Sequence, residues 1–311
     1  MIRRESFVFA SVILTIIAIL SFSQETLPGE GALIQIDSAG HNVDLPDSGS
    51  SALTDVSGTA EMPKPSDSFL AAASDSSWWY RKLDNRAFAA GECLEFSVKY
   101  GLLPAGTAVL KIPEIIDYQG KRSYRIISLA NSNDLVSVFY SVHDSAESIV
   151  DCDGIFSRKF HKRLREGGYK ADKTTLFDQR KHLAITGNDS IPTYAFVQDA
   201  LSSLYYVRTQ ELTPGAEVLM DNHTDRKNFP LKIIVDKKET VEVPAGKFDC
   251  VVIEPIMRAE GIFKARGRIR IWLSDDQYKM PVMMKTEVFF LGSVSAQLKS
   301  YTLGTLEGPG E

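Results

Sequence analysis

Three cysteines in 311 residues, Cys93, Cys152 and Cys250, are too few for a disulfide framework and have no metal-ligand spacing. An odd count also leaves one thiol over, so small buried hydrophobes are the expected role. The five histidines, His41, His143, His161, His182 and His223, are scattered and form no HxH or HExxH arrangement. Neither a GxSxG elbow nor a glycine-rich phosphate loop occurs. Two paired carboxylates, Asp275-Asp276 and Asp151-x-Asp153, fall in turn-like contexts, where aspartate is favoured for its hydrogen bonds to the backbone. Nothing here nominates a nucleophile, a base or a metal cluster, so the expectation is a non-enzymatic chain with no cofactor. After residue 23 no apolar run approaches membrane-spanning length.

The first 23 residues read as an export signal. Arg3 and Arg4 form a positive start, Phe7 to Leu20 is apolar apart from Ser11 and Thr15, and Ser21-Phe22-Ser23 offers small residues for cleavage. No cysteine follows to take a lipid. The expected address is periplasmic or otherwise exported, with an uncleaved inner-membrane anchor of the same topology as the alternative. Residues 24–79 carry nine acids against the single base Lys64 and are rich in Ser, Asp, Gly, Ala and Pro. Such a segment cannot bury enough apolar surface to offset its ordering entropy, so a disordered acidic tether is expected. The chain is −5 overall; residues 1–23 carry +1 and residues 24–79 carry −8, which leaves +2 for residues 80–311. The expected division is therefore signal 1–23, tether 24–79, one β domain over 80–306 and a short tail over 307–311.

From residue 91 the two-residue period of half-buried strands dominates. Leu94, Phe96, Val98 and Tyr100 alternate with polar residues, a turn is expected at Pro104-Ala105-Gly106, and strands over 107–112 and 124–129 follow. Val136, Val138, Tyr140 and Val142 also alternate with their neighbours and predict a strand. Asp153-Gly154, Gly167-Gly168 and Pro244-Ala245-Gly246 mark further turns. In Tyr194 to Leu212 the residues Phe196, Val197, Ala200, Leu201, Leu204 and Val207 recur at helical spacing between Pro192 and Pro214-Gly215, which predicts one amphipathic helix. Strands near 216–222, 229–243, 248–254, 262–273 and 282–290 and a last one through Leu298 complete the pattern. The fold class is thus mostly β: an antiparallel sheet rolled into an open barrel or sandwich, with one helix between two strand-rich halves.

Basic residues supply the sharpest signal. Lys264, Arg266, Arg268 and Arg270 occupy every second position of a predicted strand and so share one face, with Phe263, Ile269 and Ile271 on the other. Lys159, His161, Arg163 and Arg165 repeat the pattern, and residues 158–181 hold nine bases against three acids. A hydrated outer face explains such rows; so does a wall facing an anionic lipid, an acidic glycan or another envelope protein. The candidate ligand-binding residues are Lys264, Arg266, Arg268, Arg270, Lys159, Arg163 and Arg165. Nucleic acid is excluded as a partner by the exported address and the near-neutral domain. If the helix gated an open carrier, Tyr205, Tyr206 and Arg208 would line its mouth.

Several phrases occur in an order that resembles the bacterial envelope family known as domain of unknown function 3108. They are Gly91-Glu92-x-Leu94-x-Phe96, Ala105-Gly106-x-Ala108, Asp144-x-x-Glu147-Ser148 and Val243-Pro244-Ala245-Gly246-x-Phe248-Asp249-Cys250. Ile271-Trp272-Leu273-Ser274-Asp275-Asp276, Pro281-Val282 and Gly292-Ser293-Val294-x-Ala296-x-Leu298 follow. The resemblance spans roughly residues 88–303 and implies a periplasmic or surface β protein without established catalytic residues. The Pro-Ala-Gly-x-Phe hairpin and the strand-plus-helix plan are also broadly similar to open β-barrels that carry lipoproteins or lipids, and this implies a chain that holds an amphiphilic or anionic envelope ligand. A structural or protein-interaction module without a small ligand is the alternative.

Overall fold

The computed structural model describes residues 81–257, 268–288 and 292–305. The expected signal, tether and tail lie outside these residues. Among the described residues fourteen strands form one antiparallel sheet. In chain order they are β1 (Cys93–Tyr100), β2 (Leu103–Asp117), β3 (Arg122–Ser132), β4 (His143–Asp151), β5 (Ser157–Glu166), β6 (Tyr169–Asp178), β7 (Leu183–Thr186) and β8 (Asp189–Pro192). The second half supplies β9 (Glu217–Thr224), β10 (Lys227–Val243), β11 (Gly246–Met257), β12 (Arg268–Ser274), β13 (Pro281–Val288) and β14 (Gly292–Thr302). The spatial order is β8 to β1, then β14 back to β9. Two meanders therefore meet at the β1–β14 pair, and β8 and β9 are left as edges. Those edges come within side-chain reach of each other: Arg226 pairs with Asp189 at 2.8 Å, and Asn228 Nδ2 donates to the Pro192 carbonyl. The ladder itself does not close, so the sheet is one open roll.

Alternation explains the core. Phe96 and Val98 of β1 stand opposite Leu298 and Ala296 of β14, and with Leu94 they are buried in one apolar cluster. Its concave side is filled by helix α2 (Ala200–Arg208), which contributes Leu201, Leu204 and Val207. A shorter helix, α1 (Asp134–Ser137), precedes β4.

Three local expectations are corrected. Pro104, Ala105 and Gly106 lie inside β2; the chain turns at Gly101-Leu102 instead, where Gly101 has φ 57°. Gly106 remains in the strand because a Cβ there would stand 2.1 Å from the Asn131 carbonyl oxygen, so the glycine allows close backbone approach rather than a turn. Residues 136–142 are not a strand. Asn133 accepts a hydrogen bond from the Val136 amide and caps α1, a local preference that overrides the apolar alternation. The helix predicted over 194–212 is confined to Ala200–Arg208, because Asp199 has an extended backbone and accepts from the Leu201 and Ser202 amides as N-cap. Ahead of it, Phe196 has φ 57° and Gln198 bridges in parallel to Asn222.

The helix does not gate a mouth. Arg208 and Tyr205 are fully buried. Arg208 donates to both oxygens of Glu92, at 2.7 and 2.6 Å, and to the carbonyls of Ala87 and Tyr278. Its guanidinium lies against the rings of Phe88 and Tyr205, 5.2 and 5.0 Å from their centroids. Burial lowers the tendency of Arg208 to hold its proton, but the Glu92 charge and hydrogen bonds outweigh this and leave its pKa raised.

Breaking a buried pair strands a charge, whereas replacing both partners removes the penalty. Arg208→Met alone should therefore cost about 3–5 kcal/mol, and the double variant Glu92→Leu/Arg208→Met should cost clearly less than the two single changes summed. Urea unfolding of the four proteins in the cycle measures the coupling. At the β10–β11 turn, Gly246 has φ 130°. Gly246→Val should lower stability by about 1–3 kcal/mol through backbone strain, read as a fall in melting temperature.

Candidate functional site

The basic rows named from the sequence are spread over two places. Lys159, His161, Arg163 and Arg165 project from one face of β5, opposite the buried Phe160, Lys162 and Leu164. There they meet carboxylates on neighbouring strands. Lys159 lies 3.6 Å from Glu147, which also takes Arg125 at 2.7 Å. His161 and Arg165 approach Asp172 at 3.6 and 4.0 Å, and Arg163 stands opposite Asp172 in register. This is a cross-strand ion lattice on a hydrated face.

In β12, Ile271 takes the face that packs with Met284 and Ala296, and Arg270 takes the opposite face beside Lys285. The side chain of Arg268 and all of Lys264 and Arg266 lie outside the described residues. Six strands separate β5 from β12 in the sheet, so the two rows do not share one wall along it.

A different grouping forms a cleft of about 400 Å³. Its apolar surface comes from Phe156 and Phe177, buried at the ends of the chain segments around β5 and β6, and from Leu176 and Ile185, which pair in register across β6 and β7. Tyr118 and Lys121 reach it from the β2–β3 turn, and Arg158 and Arg180 complete a set of three cations. The lone carboxylate, Asp178, is already engaged: it accepts from the Arg180 and Lys181 amides and pairs with the Lys181 side chain at 3.4 Å. Arg158 is held by Asp151 through two hydrogen bonds, at 3.0 and 2.6 Å. Burial raises the Tyr118 phenol pKa, and the nearby Arg158 charge opposes that rise. The volume falls in the range of small-molecule sites, and the lining pairs an aromatic and aliphatic surface with excess positive charge.

Only part of this cleft had a sequence signal. Arg158 and Arg180 belong to the basic stretch 158–181, but strict two-residue spacing pointed to their neighbours. Arg158 departs from that spacing because the β4–β5 register shifts between Ile149 and Val150. Lys121 and Tyr118 are brought in by a turn distant in sequence.

The inward face of β4, β5 and β9 carries a second polar group. Lys162 reaches Asp225 in the β9–β10 turn, with both carboxylate oxygens accepting at 2.6 and 2.7 Å. Asp144 and Glu166 hydrogen-bond each other. Their oxygens Asp144 Oδ2 and Glu166 Oε1 find no other partner, so one shared proton satisfies both. Burial pushes Glu166 up to about 9, reinforced by the Asp144 hydrogen bond and charge and opposed by Lys162; burial raises Asp144 as well. Asp199 receives the hydroxyls of Ser148 and Ser157, and burial raises its pKa against those hydrogen bonds. Among the described residues no group of three His, Cys, Asp or Glu side chains could hold a metal ion. Asp151 and Asp276 instead accept backbone amides within their turns. All three cysteines are free thiols, and burial lifts Cys250 to about 12.

The acid pair has a pH consequence. The native state keeps a proton on Glu166 up to about pH 9, which the unfolded chain loses near its ordinary value of 4.5. The native state thus binds more protons across that window, and this contribution is full below it and disappears as pH rises through about 9. Glu166→Gln should therefore gain stability relative to the wild type as pH rises from 5 to 9. Urea midpoints at a series of pH values give the slope; parallel curves for the two proteins would contradict the shared proton.

No helix among the described residues is long and apolar enough to cross a membrane. Comparison with curated proteins gives no match. Among solved structures, the fold is similar to a β-barrel-like protein of domain of unknown function DUF1849 from Brucella abortus. That match has 8% identity and TM-score 0.47, and covers 68% of this chain and 97% of the other. A proposed exported protein with a YmcC-like fold from Bacteroides fragilis matches at 11% identity and TM-score 0.28, covering 71% and 99%. A proposed lipoprotein from Parabacteroides distasonis matches at 10% identity and TM-score 0.29, also covering 71% and 99%. The family model for the protein of unknown function DUF3108 matches residues 95–299, and the chain belongs to that family.

Proposed function

We propose that this chain is a non-enzymatic, exported protein of the cell envelope that binds an amphiphilic ligand with an anionic head. The observation that supports the reading is the cleft lined by Phe156, Phe177, Leu176 and Ile185 together with Lys121, Arg158 and Arg180. An apolar floor holds an acyl or aromatic portion, and the cations neutralise a phosphate or carboxylate placed against them. Arg158 is held in place by Asp151, which accepts from its Nε and Nη2. Export is supported by Arg3-Arg4 and the apolar run Phe7 to Leu20, and the periplasm is the compartment proposed.

A second reading, a protein-interaction module without a small ligand, is favoured by one specific observation. Helix α2 fills the concave side of the roll, so the described core is packed where a lumenal carrier would hold its cargo. The ligand reading accordingly places the ligand in the lateral cleft.

Titration calorimetry with lysophosphatidylglycerol and lysophosphatidylcholine distinguishes the two. The wild type should bind the anionic lipid more tightly, and Lys121→Glu/Arg180→Glu should weaken that binding by about tenfold or more, about 1.4 kcal/mol per factor of ten, with the melting temperature preserved. Absence of binding in the wild type, or equal affinity in the double variant, would leave the interaction-module reading.

A further inference from the structure

Nine large hydrophobic residues are exposed among the described residues, and five of them belong to two neighbouring connections at one end of the sheet. Leu102 in the β1–β2 turn is 95% exposed and Leu103, which opens β2, 65%; in the β3–β4 connection Leu135 is 67%, Val138 77% and Phe139 86% exposed. Hydrogen bonds join the two connections. The Asn133 amide donates to the Ala105 carbonyl at 2.9 Å, and Asn133 Nδ2 donates to the Pro104 carbonyl at 2.8 Å. The β5–β6 turn is drawn in as well, because the Tyr140 ring packs on Gly167, whose amide donates to the Ser141 carbonyl. The five side chains therefore stand on a braced tip and are not fraying ends.

The charge beneath the tip indicates what covers it. Lys99, two residues before Gly101, stands opposite Ser295, which stands opposite Lys285, which stands opposite Arg270. This row of cations crosses four strands just below the Leu102 turn; Lys285 pairs with Glu287 at 3.1 Å, and the Arg270 charge is felt by Glu239. On the other side of the tip, Arg165 and Lys170 face each other beside the β5–β6 turn, Arg165 at 4.0 Å from Asp172. The shared proton of Asp144 and Glu166 removes one negative charge from the same end. Apolar side chains on projecting turns above a belt of cations match the layering of an anionic membrane surface, where acyl chains lie below charged head groups.

We propose that this end of the sheet docks on an anionic lipid bilayer, with Leu102, Leu103, Leu135, Val138 and Phe139 entering the interface and Lys99, Lys285, Arg270, Arg165 and Lys170 meeting the head groups. The proposal is independent of the lateral cleft. It assigns a role to Arg270 and Arg165 at the membrane surface instead of in a ligand wall.

The test uses the full chain with a tryptophan reporter. Leu102→Trp is compared with Leu219→Trp, a control at an exposed leucine on the edge strand β9. Each is mixed with vesicles of brominated phosphatidylglycerol and phosphatidylethanolamine, and with vesicles of brominated phosphatidylcholine. Leu102→Trp fluorescence should shift to the blue and be quenched by the phosphatidylglycerol vesicles, and the control should show neither change. Adding Phe139→Asp to Leu102→Trp should reduce the partition coefficient by about tenfold or more, about 1.4 kcal/mol per factor of ten. Equal quenching in the two reporter variants, equal quenching by phosphatidylcholine, or no quenching at all would overturn the proposal. So would a blue shift of Leu102→Trp that grows with protein concentration in the absence of lipid, which would assign the tip to a second copy of the chain.

Discussion

The bidentate pair between Glu92 and Arg208 is the constraint on which the assembly of the roll depends. Glu92 precedes β1 at the centre of the sheet, and Arg208 ends the helix that fills its concave side. A fully desolvated guanidinium tolerates few misplacements, since each N–H without an acceptor costs free energy comparable to a lost hydrogen bond. Here the acceptors come from Ala87 and Glu92 on the segment ahead of β1 and from Tyr278, two segments far apart in sequence. Their simultaneous engagement fixes the helix in both position and rotation. The rings of Phe88 and Tyr205, packed edge to face at 4.8 Å, surround the pair and exclude water from it.

From that anchor the polar interior extends along the helix in the opposite direction. Asp199 caps the helix and also takes the hydroxyls of Ser148 on β4 and Ser157 on β5, so one carboxyl couples helix initiation to docking. Farther along, Lys162 and Asp225 join β5 to the β9–β10 turn across the interior of the roll. The sheet does not close by backbone pairing. Instead, the interior ion pair, the Asp189–Arg226 pair and the Asn228 contact link its two halves through side chains. Such links resist water less well than a continuous ladder, and this end of the molecule also carries the projecting apolar turns.

The outer electrostatics follow a simpler rule. On β5 and its neighbours, cations stand opposite Glu147 and Asp172, and long side chains remain hydrated while they discourage edge pairing. The lateral cleft differs because its cations exceed its acids and because aromatic surface lies beneath them. Which cations line aromatic surface and which stand on a hydrated face is set by neighbours in space.

Much of the architecture was legible from the chain alone. Alternation in Leu94, Phe96 and Val98 marked β1, Gly167-Gly168 marked a hairpin, and Pro244-Ala245-Gly246 marked the β10–β11 turn, because each is a local consequence of pleat and of permitted φ. Where local signals competed, reading by period failed. Val136 to Val142 alternate as a strand would, yet the Asn133 cap makes a helical turn there. Gly106 resembles a turn glycine, yet it serves the approach of β3. The helix pattern extends beyond its true ends because Asp199 stops it through partners that lie on β4 and β5. Charge spacing gave the faces of two strands, but which cations share a cleft and which meet carboxylates depended on strand order and on a bulge in β5. The sequence by itself determined the strand-rich class, the apolar face of each strand and the acidic character of residues 24–79. Only the tertiary structure decided the burial of Arg208 with Glu92, the proton shared by Asp144 and Glu166, and the convergence of Lys121, Arg158 and Arg180. These are contacts between residues far apart in the chain, and no local periodicity encodes them.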